Sequence, residues 1–433
     1  MRYAWDGLRR RPARSAATAL GVGLAVALVV LLLALSAGIT QSATELAQSS
    51  GVDLLAASAP LSASSFPPVP GAHRIDSAMK AADPNVATAS PWLIADWVVG
   101  NQSLYNESMA APGGAAVPAG DRPTGTGIVG WIPGANQGIE VPEITSGPGF
   151  SATGDPHWAN GSYEGPATHE IVLDGALAAV LHVGVGARVW AAASAPTGPA
   201  ALEGWYANAT PFVVVGLSGP FWLIPSALLA FAYLSEVQGV LGGIFVSEDA
   251  ATVVLIHLTD GSQSPNDATR LGQAFPSLTI ITVAEILGAV QNVVDLYRTF
   301  GALIGAIGFT VAALFTTTVL TMSVDDRSRE MALLRALGFS PFWIGQEIAS
   351  EGLLLAGLGL AVGIPFGALG AIALDGFLSR LVPGLPRGFS FVSFDATGIG
   401  LTVLLVIALG SAASVLPILR ALRIPVAAEL RAP

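Results

Sequence analysis

Residues 300–338 read FGALIGAIGFTVAALFTTTVLTMSVDDRSREMALLRALG. Phe300 to Val324 holds no charged residue, and a helix of roughly 20 apolar residues crosses the hydrocarbon core of a bilayer. Asp325-Asp326-Arg327-Ser328-Arg329-Glu330 follows at once. Gly338 then supplies a stop, because glycine tolerates the left-handed conformation just past a helix end. Ser340-Pro341 restarts a helix, with serine as N-cap and proline at the first helical position. An apolar helix, a short charged helix and a second apolar helix are therefore expected in succession, which points to a polytopic membrane protein.

Working outward, Ser15 to Ile39 is another uncharged apolar run, too long for the core of a signal peptide. Ile344 to Leu374 and Thr397 to Leu419 complete four expected spans. Arginines flank them at Arg2, Arg9, Arg10, Arg11 and Arg14, at Arg327 to Arg335, and at Arg420, Arg423 and Arg431. Arginine near span ends marks the cytoplasmic side. The expected order is a cytoplasmic segment 1–14, span 15–39, an extracytoplasmic region 40–298 and span 299–324. A cytoplasmic helix 325–341, span 342–374, an external loop 375–396, span 397–419 and a cytoplasmic tail 420–433 follow. Both termini are then cytoplasmic in a multi-pass cell-membrane protein. Phe221 to Val246 is apolar enough to imitate a fifth span, but Pro225, Glu236, Gln238 and Gly242-Gly243 point to a buried element of the external domain.

Composition agrees. The 433 residues are 52% hydrophobic and only 11% charged, against about 25% charged in soluble domains. Of the formal charge of −11, nearly all the acidic excess lies in residues 45–296, and the flanks are net positive. Lys80 is the only lysine and cysteine is absent, so nucleic-acid binding, disulfides and thiolate metal sites are not expected.

The external region reads as mixed α/β. Ile171-Val172-Leu173, Ala187 to Ala191, Phe212 to Leu217 and Ala251 to Leu258 are strand-like. Asp174 is placed to cap a helix over Ala176–Leu181. Ala284 to Tyr297 has apolar residues at helical spacing and leads into the second span, and Thr40–Gln48 is its counterpart beyond the first. The fold class expected is four transmembrane α-helices with a large mixed α/β extracytoplasmic domain between spans 1 and 2.

In the charged helix, Arg327, Met331, Leu334 and Leu337 fall near one face. Such a helix suits a membrane domain that receives force from a soluble motor, and the spacing alone is equally that of a solvated loop. Gly301/Gly305 and Gly359/Gly363 form G-x-x-x-G pairs that permit close helix approach. Glu351, inside the third apolar run, is expected to hydrogen-bond the cytoplasmic loop. His73, His157, His169, His182 and His257 match no metal-ligand spacing. Asn101, Asn106, Asn160 and Asn208 begin glycosylation-type tripeptides.

Residues 327–338 resemble the R-x-R-E-I-x-x-L-R-A-L-G signature of MacB/FtsX-like permeases of ABC transporters, with Met331 in place of the usual Ile or Val. Glu347 through Leu355 and the close from Leu416-Pro417 to Leu430-Arg431 resemble the same family, as does Ile171 to Val189. The resemblance implies a permease that is not itself an enzyme. It implies a separate ABC ATP-binding subunit, since this chain has no G-x-x-x-x-G-K-[ST] phosphate loop. ATP would sit on that partner and no cofactor on this chain. It further implies a second permease as homo- or heterodimer, contact with membrane lipid, and an extracytoplasmic adaptor as a further candidate. Arg327, Glu330, Met331, Leu334, Arg335, Leu337 and Gly338 are the residues expected to couple to the ATPase, with Met331, Leu334 and Leu337 as anchors and Arg327, Glu330 and Arg335 at the rim. Two functions follow: MacB-like export driven through the external domain, or an FtsX-like scaffold that regulates a cell-wall enzyme without transport. An external domain of about 240 residues favours the first.

Overall fold

A computed structural model describes residues 12–58, 67–103, 106, 122–196, 202–219, 221, 228–381 and 389–424. The N-terminal segment through residue 11, the tail beyond 424 and residues 382–388 of the 375–396 loop lie outside the described residues. Two compact units are present. One is helical, drawn from Met1–Ser42, Val290–Leu381 and Ser390–Pro433, and the other is an α/β unit over Ala43–Ala289 with Val382–Phe389.

In chain order the elements are α1 (Pro12–Ser49), β1 (Leu54–Ala57), α2 (Ile75–Ala82), β2 (Val86–Gly100), β3 (Thr124–Trp131), β4 (Ile144–Ser146), β5 (Glu170–Asp174), α3 (Gly175–Leu181), β6 (Arg188–Ala192), α4 (Leu202–Asn208) and β7 (Thr210–Ser218). They continue as β8 (Leu229–Tyr233), α5 (Leu234–Leu241), α6 (Ile244–Ser247), β9 (Val253–Leu258), α7 (Ser264–Ala274), β10 (Thr279–Thr282), α8 (Val283–Asp326), α9 (Ser328–Ala336), α10 (Pro341–Leu381) and α11 (Ala396–Leu422).

The strands form one mixed sheet in the order β10-β1-β9-β2-β3-β8-β5-β7-β4, with β6 bridging β2 and β7. Strand β2 serves two neighbourhoods. Val86–Trp92 pairs with β9, and Leu93–Val99 pairs with β3. Because β6 joins both β2 and β7, the pairings β2-β3-β8-β5-β7-β6 close a ring. Side chains alternate across a strand, so Leu93, Trp97 and Val99 fall in one core with Ile128, Ile171, Phe212 and Ala230. Trp92, Val129 and Phe231 go to another. The expected strands at 171–173, 187–191, 212–217 and 251–258 are β5, β6, β7 and β9. Asp174 Oδ1 accepts from the Ala176 amide at 3.4 Å as the N-cap of α3.

The Phe221–Val246 decoy is not a span. Its described part is a fully buried central strand, β8, followed by α5. Gly242 and Gly243 then take φ values of 64° and 57°, which only glycine adopts freely, and turn the chain into α6.

Four helices, α1, α8, α10 and α11, are long and apolar enough to cross a membrane. α8 runs unbroken over 44 residues. Its expected apolar stripe is not buried throughout: Val294 is buried, whereas Val293 and Tyr297 are exposed. In the helical unit the small-residue stripe of α10 sets the packing. A Cβ at Gly359 would lie 2.5 Å from Val22 Cγ1, and one at Gly363 would lie 2.6 Å from the Gly23 carbonyl oxygen. The two helix backbones therefore touch where only hydrogen fits. Between α10 and α11, Gly352 and Gly410 allow an equally close approach, with Ser414 and Ala356 opposite them. Asp375, near the far end of α10, accepts from the Phe391 amide at 2.7 Å and fixes the chain entering α11. Ser323 Oγ, near the end of α8, donates to Glu351 Oε1 at 3.3 Å.

Of the glycosylation-type tripeptides, Asn106 falls in a stretch that is mostly outside the described residues. Asn101 Nδ2 donates to the Leu181 carbonyl and Asn208 Nδ2 to that of Gly204. Asn160 is exposed. Among the described residues no group of three or more His, Asp or Glu side chains is arranged to hold a metal ion.

Candidate functional site

The charged segment after Val324 is α9, nine residues long. Arg327 interrupts the helical run between α8 and α9 with φ −113° and ψ 17°. The other end is closed by a left-handed Gly338, φ 91°. The Gly338 amide donates to Arg335 O at 3.1 Å and the Phe339 amide to Leu334 O at 3.1 Å. This crossed pair satisfies carbonyls that a helix end leaves without partners. Pro341 then opens α10, and Ser340 Oγ accepts from the Trp343 amide at 3.2 Å, the expected N-cap.

α9 is seated on the ends of its neighbours. Ala332 is fully buried, and Met331 packs against the cluster of Val324, Ile344, Ile348 and Ala421. Met331 and Leu334 line a groove of about 220 Å³ together with Arg327, Glu330, Trp343 and Glu347. Arg335 Nη1 donates to the carbonyls of Leu422 at 3.2 Å and Ile424 at 2.9 Å. Arg420 Nε and Asp325 Oδ1, 2.9 Å apart, join the ends of α11 and α8. Both side chains are largely solvated, so this pair adds little stability.

Of the seven expected coupling residues, all lie on α9 or its caps, but they do not share one outward face. Met331 and Leu334 turn toward the chain's own helices. Arg335 holds the end of α11 and is not a free rim charge. Gly338 makes the turn. Leu337 is outward, 69% exposed, and its partner one turn back is Leu333, 53% exposed. Phe342, at the second residue of α10, is 80% exposed. Leu333 and Phe342 were not among the expected residues. Their signal was present in the sequence, since Leu333 and Leu337 are four apart and Phe342 lies before the apolar run that spans.

Residues 302–426 match the family model described as FtsX-like permease C-terminal. The chain carries an FtsX-like permease domain. The resemblance read from residues 327–338 is thereby borne out, and α8, α9, α10 and α11 all contribute to the matched stretch. No curated protein matches the chain. Among solved structures, the chain is similar to the extracellular domain of the noncanonic ABC-type transporter YknZ from Gram-positive bacteria, at 11% identity and a TM-score of 0.32. That likeness covers 53% of this chain and 98% of the other. It is also similar to the periplasmic region of MacB from Actinobacillus actinomycetemcomitans, at 12% identity and a TM-score of 0.37, covering 58% of this chain and 98% of the other.

Proposed function

We propose that the chain is the permease subunit of a MacB-like ABC transporter. A separate ATP-binding subunit hydrolyses ATP, its movement reaches α9, and α1 and α8 pass that movement to an extracytoplasmic α/β domain that serves export. The observation that carries this reading is the exposed Leu333–Leu337 pair on a nine-residue helix, closed at its far end by a glycine turn and seated on the helical unit. An apolar pair left exposed among the described residues, beside Arg329 and Glu330, suits a docking anchor with charged surroundings; buried apolar anchors dominate binding and peripheral charges steer it. α8 supports the transmission step, because it contributes Val283–Ala289 to one unit and the rest of its length to the other without a proline.

In this reading the termini and α9 are cytoplasmic and ATP stays on the partner. A second permease, as homo- or heterodimer, completes the assembly in the membrane, and an adaptor outside the membrane is a candidate partner of the α/β domain. The decisive experiment co-expresses the chain with a candidate ABC ATP-binding subunit and measures co-purification and hydrolysis in nanodiscs. Leu333→Asp is expected to abolish both, since burying an unpaired carboxylate costs several kcal/mol. Unchanged binding and hydrolysis in that variant would sink the coupling role. Coupled hydrolysis with no substrate movement would instead favour the FtsX-like scaffold.

A further inference from the structure

Within the α/β unit, the stretch from Phe150 to Gly165 has no extended strand or helix of its own. Its beginning is held by Glu170, which accepts from the Ser151 amide at 2.8 Å, and by Tyr233 Oη, which accepts from the Ala152 amide at 2.9 Å. Its far part, with Asp155, Trp158 and Tyr163, is held differently. It closes over His73, whose side chain is 3% exposed.

His73 sits between two carboxylates. Nδ1 lies 2.5 Å from Asp249 Oδ1, and Nε2 lies 3.1 Å from Asp155 Oδ2. The indole of Trp158 stacks on the imidazole, with centroids 4.2 Å apart and planes 6° from parallel. Asp155 also accepts from the Ser235 amide at 2.8 Å and from Ser235 Oγ at 2.5 Å. Asp249, with φ 50°, accepts from the His73 amide at 3.0 Å and from Gln238 Nε2 at 3.3 Å. Tyr163 Oη donates to Gln238 Oε1 at 2.8 Å. A neutral imidazole has one N–H and can serve one acceptor. Only the doubly protonated ring donates to both facing carboxylates at once, and it also gains from the indole face.

We propose that His73, charged and clamped between Asp155 and Asp249, is a pH-released pin that fastens residues 155–163 to the body of the α/β unit. The groups around it support a single titration. Burial works against the charged ring, but the hydrogen bonds and negative charges of Asp155 and Asp249 outweigh it, and the pKa of His73 is raised. Burial likewise opposes ionisation of Asp155, and its bonds to His73 and Ser235 overcome that and hold its pKa down. Burial, then Asp249 and Asp155, push the Tyr163 phenol upward, so it stays protonated. Glu236 on α5 is turned to Thr168 and His169, whose amides it accepts at 2.6 and 2.8 Å. His157 is engaged with the Gly165 carbonyl, and the Arg74 guanidinium lies near Gly161.

The sign follows from linkage. A raised His73 pKa gives stability that is complete below the ordinary imidazole value of about 6.5 and is lost as pH rises through the folded value. A lowered Asp155 pKa gives stability present above about 3.9 and lost as pH falls through its folded value. The pin therefore holds in mildly acidic surroundings and releases on the alkaline side, where a neutral ring can donate to only one of Asp155 and Asp249.

Hydrogen–deuterium exchange of the full-length protein in nanodiscs, between pH 5.5 and 8.5 and corrected for intrinsic rates, tests this. Amides of residues 155–163 are expected to lose protection on the alkaline side, by about tenfold for each unit by which the ring's pKa is raised. Those of β9 should not change. His73→Gln should expose 155–163 equally at both pH values, and Asp155→Asn should move the midpoint to lower pH. Equal corrected protection at both pH values in the unaltered protein would overturn the proposal, as would an unchanged pH dependence in His73→Gln. If His73→Gln does not fold, an unmoved midpoint in Asp155→Asn overturns it.

Discussion

The guanidinium of Arg335 donates to the carbonyl oxygen of Ile424 at 2.9 Å. It donates also to Leu422, so one side chain serves two carbonyl acceptors where α11 runs out. The arginine that looks from sequence like a peripheral charge thus ties α9 to the end of the last apolar helix.

Arg335→Ala should therefore destabilise the helical unit itself, by about 1.5–3 kcal/mol, the range for hydrogen bonds made by a charged group. Thermal unfolding in detergent reads this, together with faster proteolysis after residue 420. Arg335→Lys should recover only part, because a single ammonium does not reproduce the planar fork.

Neighbouring leucines on α9 should separate folding from docking. Leu334→Asp puts a carboxylate against the permease's own groove and should lower the melting temperature of the chain purified alone. Leu333→Asp changes an exposed position and should leave that temperature within error. Only the second should keep a sound permease while losing its ATP-binding partner in co-purification. Equal melting losses in both variants would contradict the burial described for α9.

Gly363→Leu should be severe. Its first added carbon would meet the Gly23 carbonyl oxygen and Val26 Cβ, both at 2.6 Å, and two backbones must part to admit it. Overpacking of this kind costs about 1–3 kcal/mol or more. Gly357→Ala meets nothing within 4 Å and should be neutral or stabilising by up to about 1 kcal/mol, since glycine is a poor helix former. Expression level and thermal stability of the two variants give the comparison.

Topology is open to direct chemistry because the chain has no cysteine. Asn160→Cys, at an exposed turn of the α/β unit, should react with an impermeant maleimide in intact cells. Ser328→Cys, at the start of α9, should react only after permeabilisation. Equal labelling of both before permeabilisation would refute the proposed orientation.

The four apolar helices are legible in the sequence because twenty uncharged residues in a row have few alternatives. Asp174 and Ser340 are legible as caps because their chemistry is local. The orientation of α9 is not. Arg327, Met331, Leu334 and Leu337 recur at helical spacing, but which side of a short amphipathic helix meets its own chain is decided by Val324, Ile348 and Ala421, distant in sequence. The ring of strands is equally hidden, since β6 reaches both β2 and β7 through pairings that no local pattern announces. His73 stood as one unremarkable histidine until the fold brought Asp155 and Asp249, 82 and 176 positions away, to its two nitrogens.

The α/β unit begins and ends on adjacent strands. Leu54 in β1 pairs with Thr282 in β10, and the Val283 amide donates to Asp53 O at 3.0 Å. More than two hundred residues thus leave and rejoin the path between α1 and α8 at a single doorway. Neighbouring ends are what allow a domain to be inserted or exchanged as a cassette. A short linker in place of residues 54–282 asks only that a few ångströms be bridged, so the α/β module can diversify or be swapped while the helical chassis stays the same.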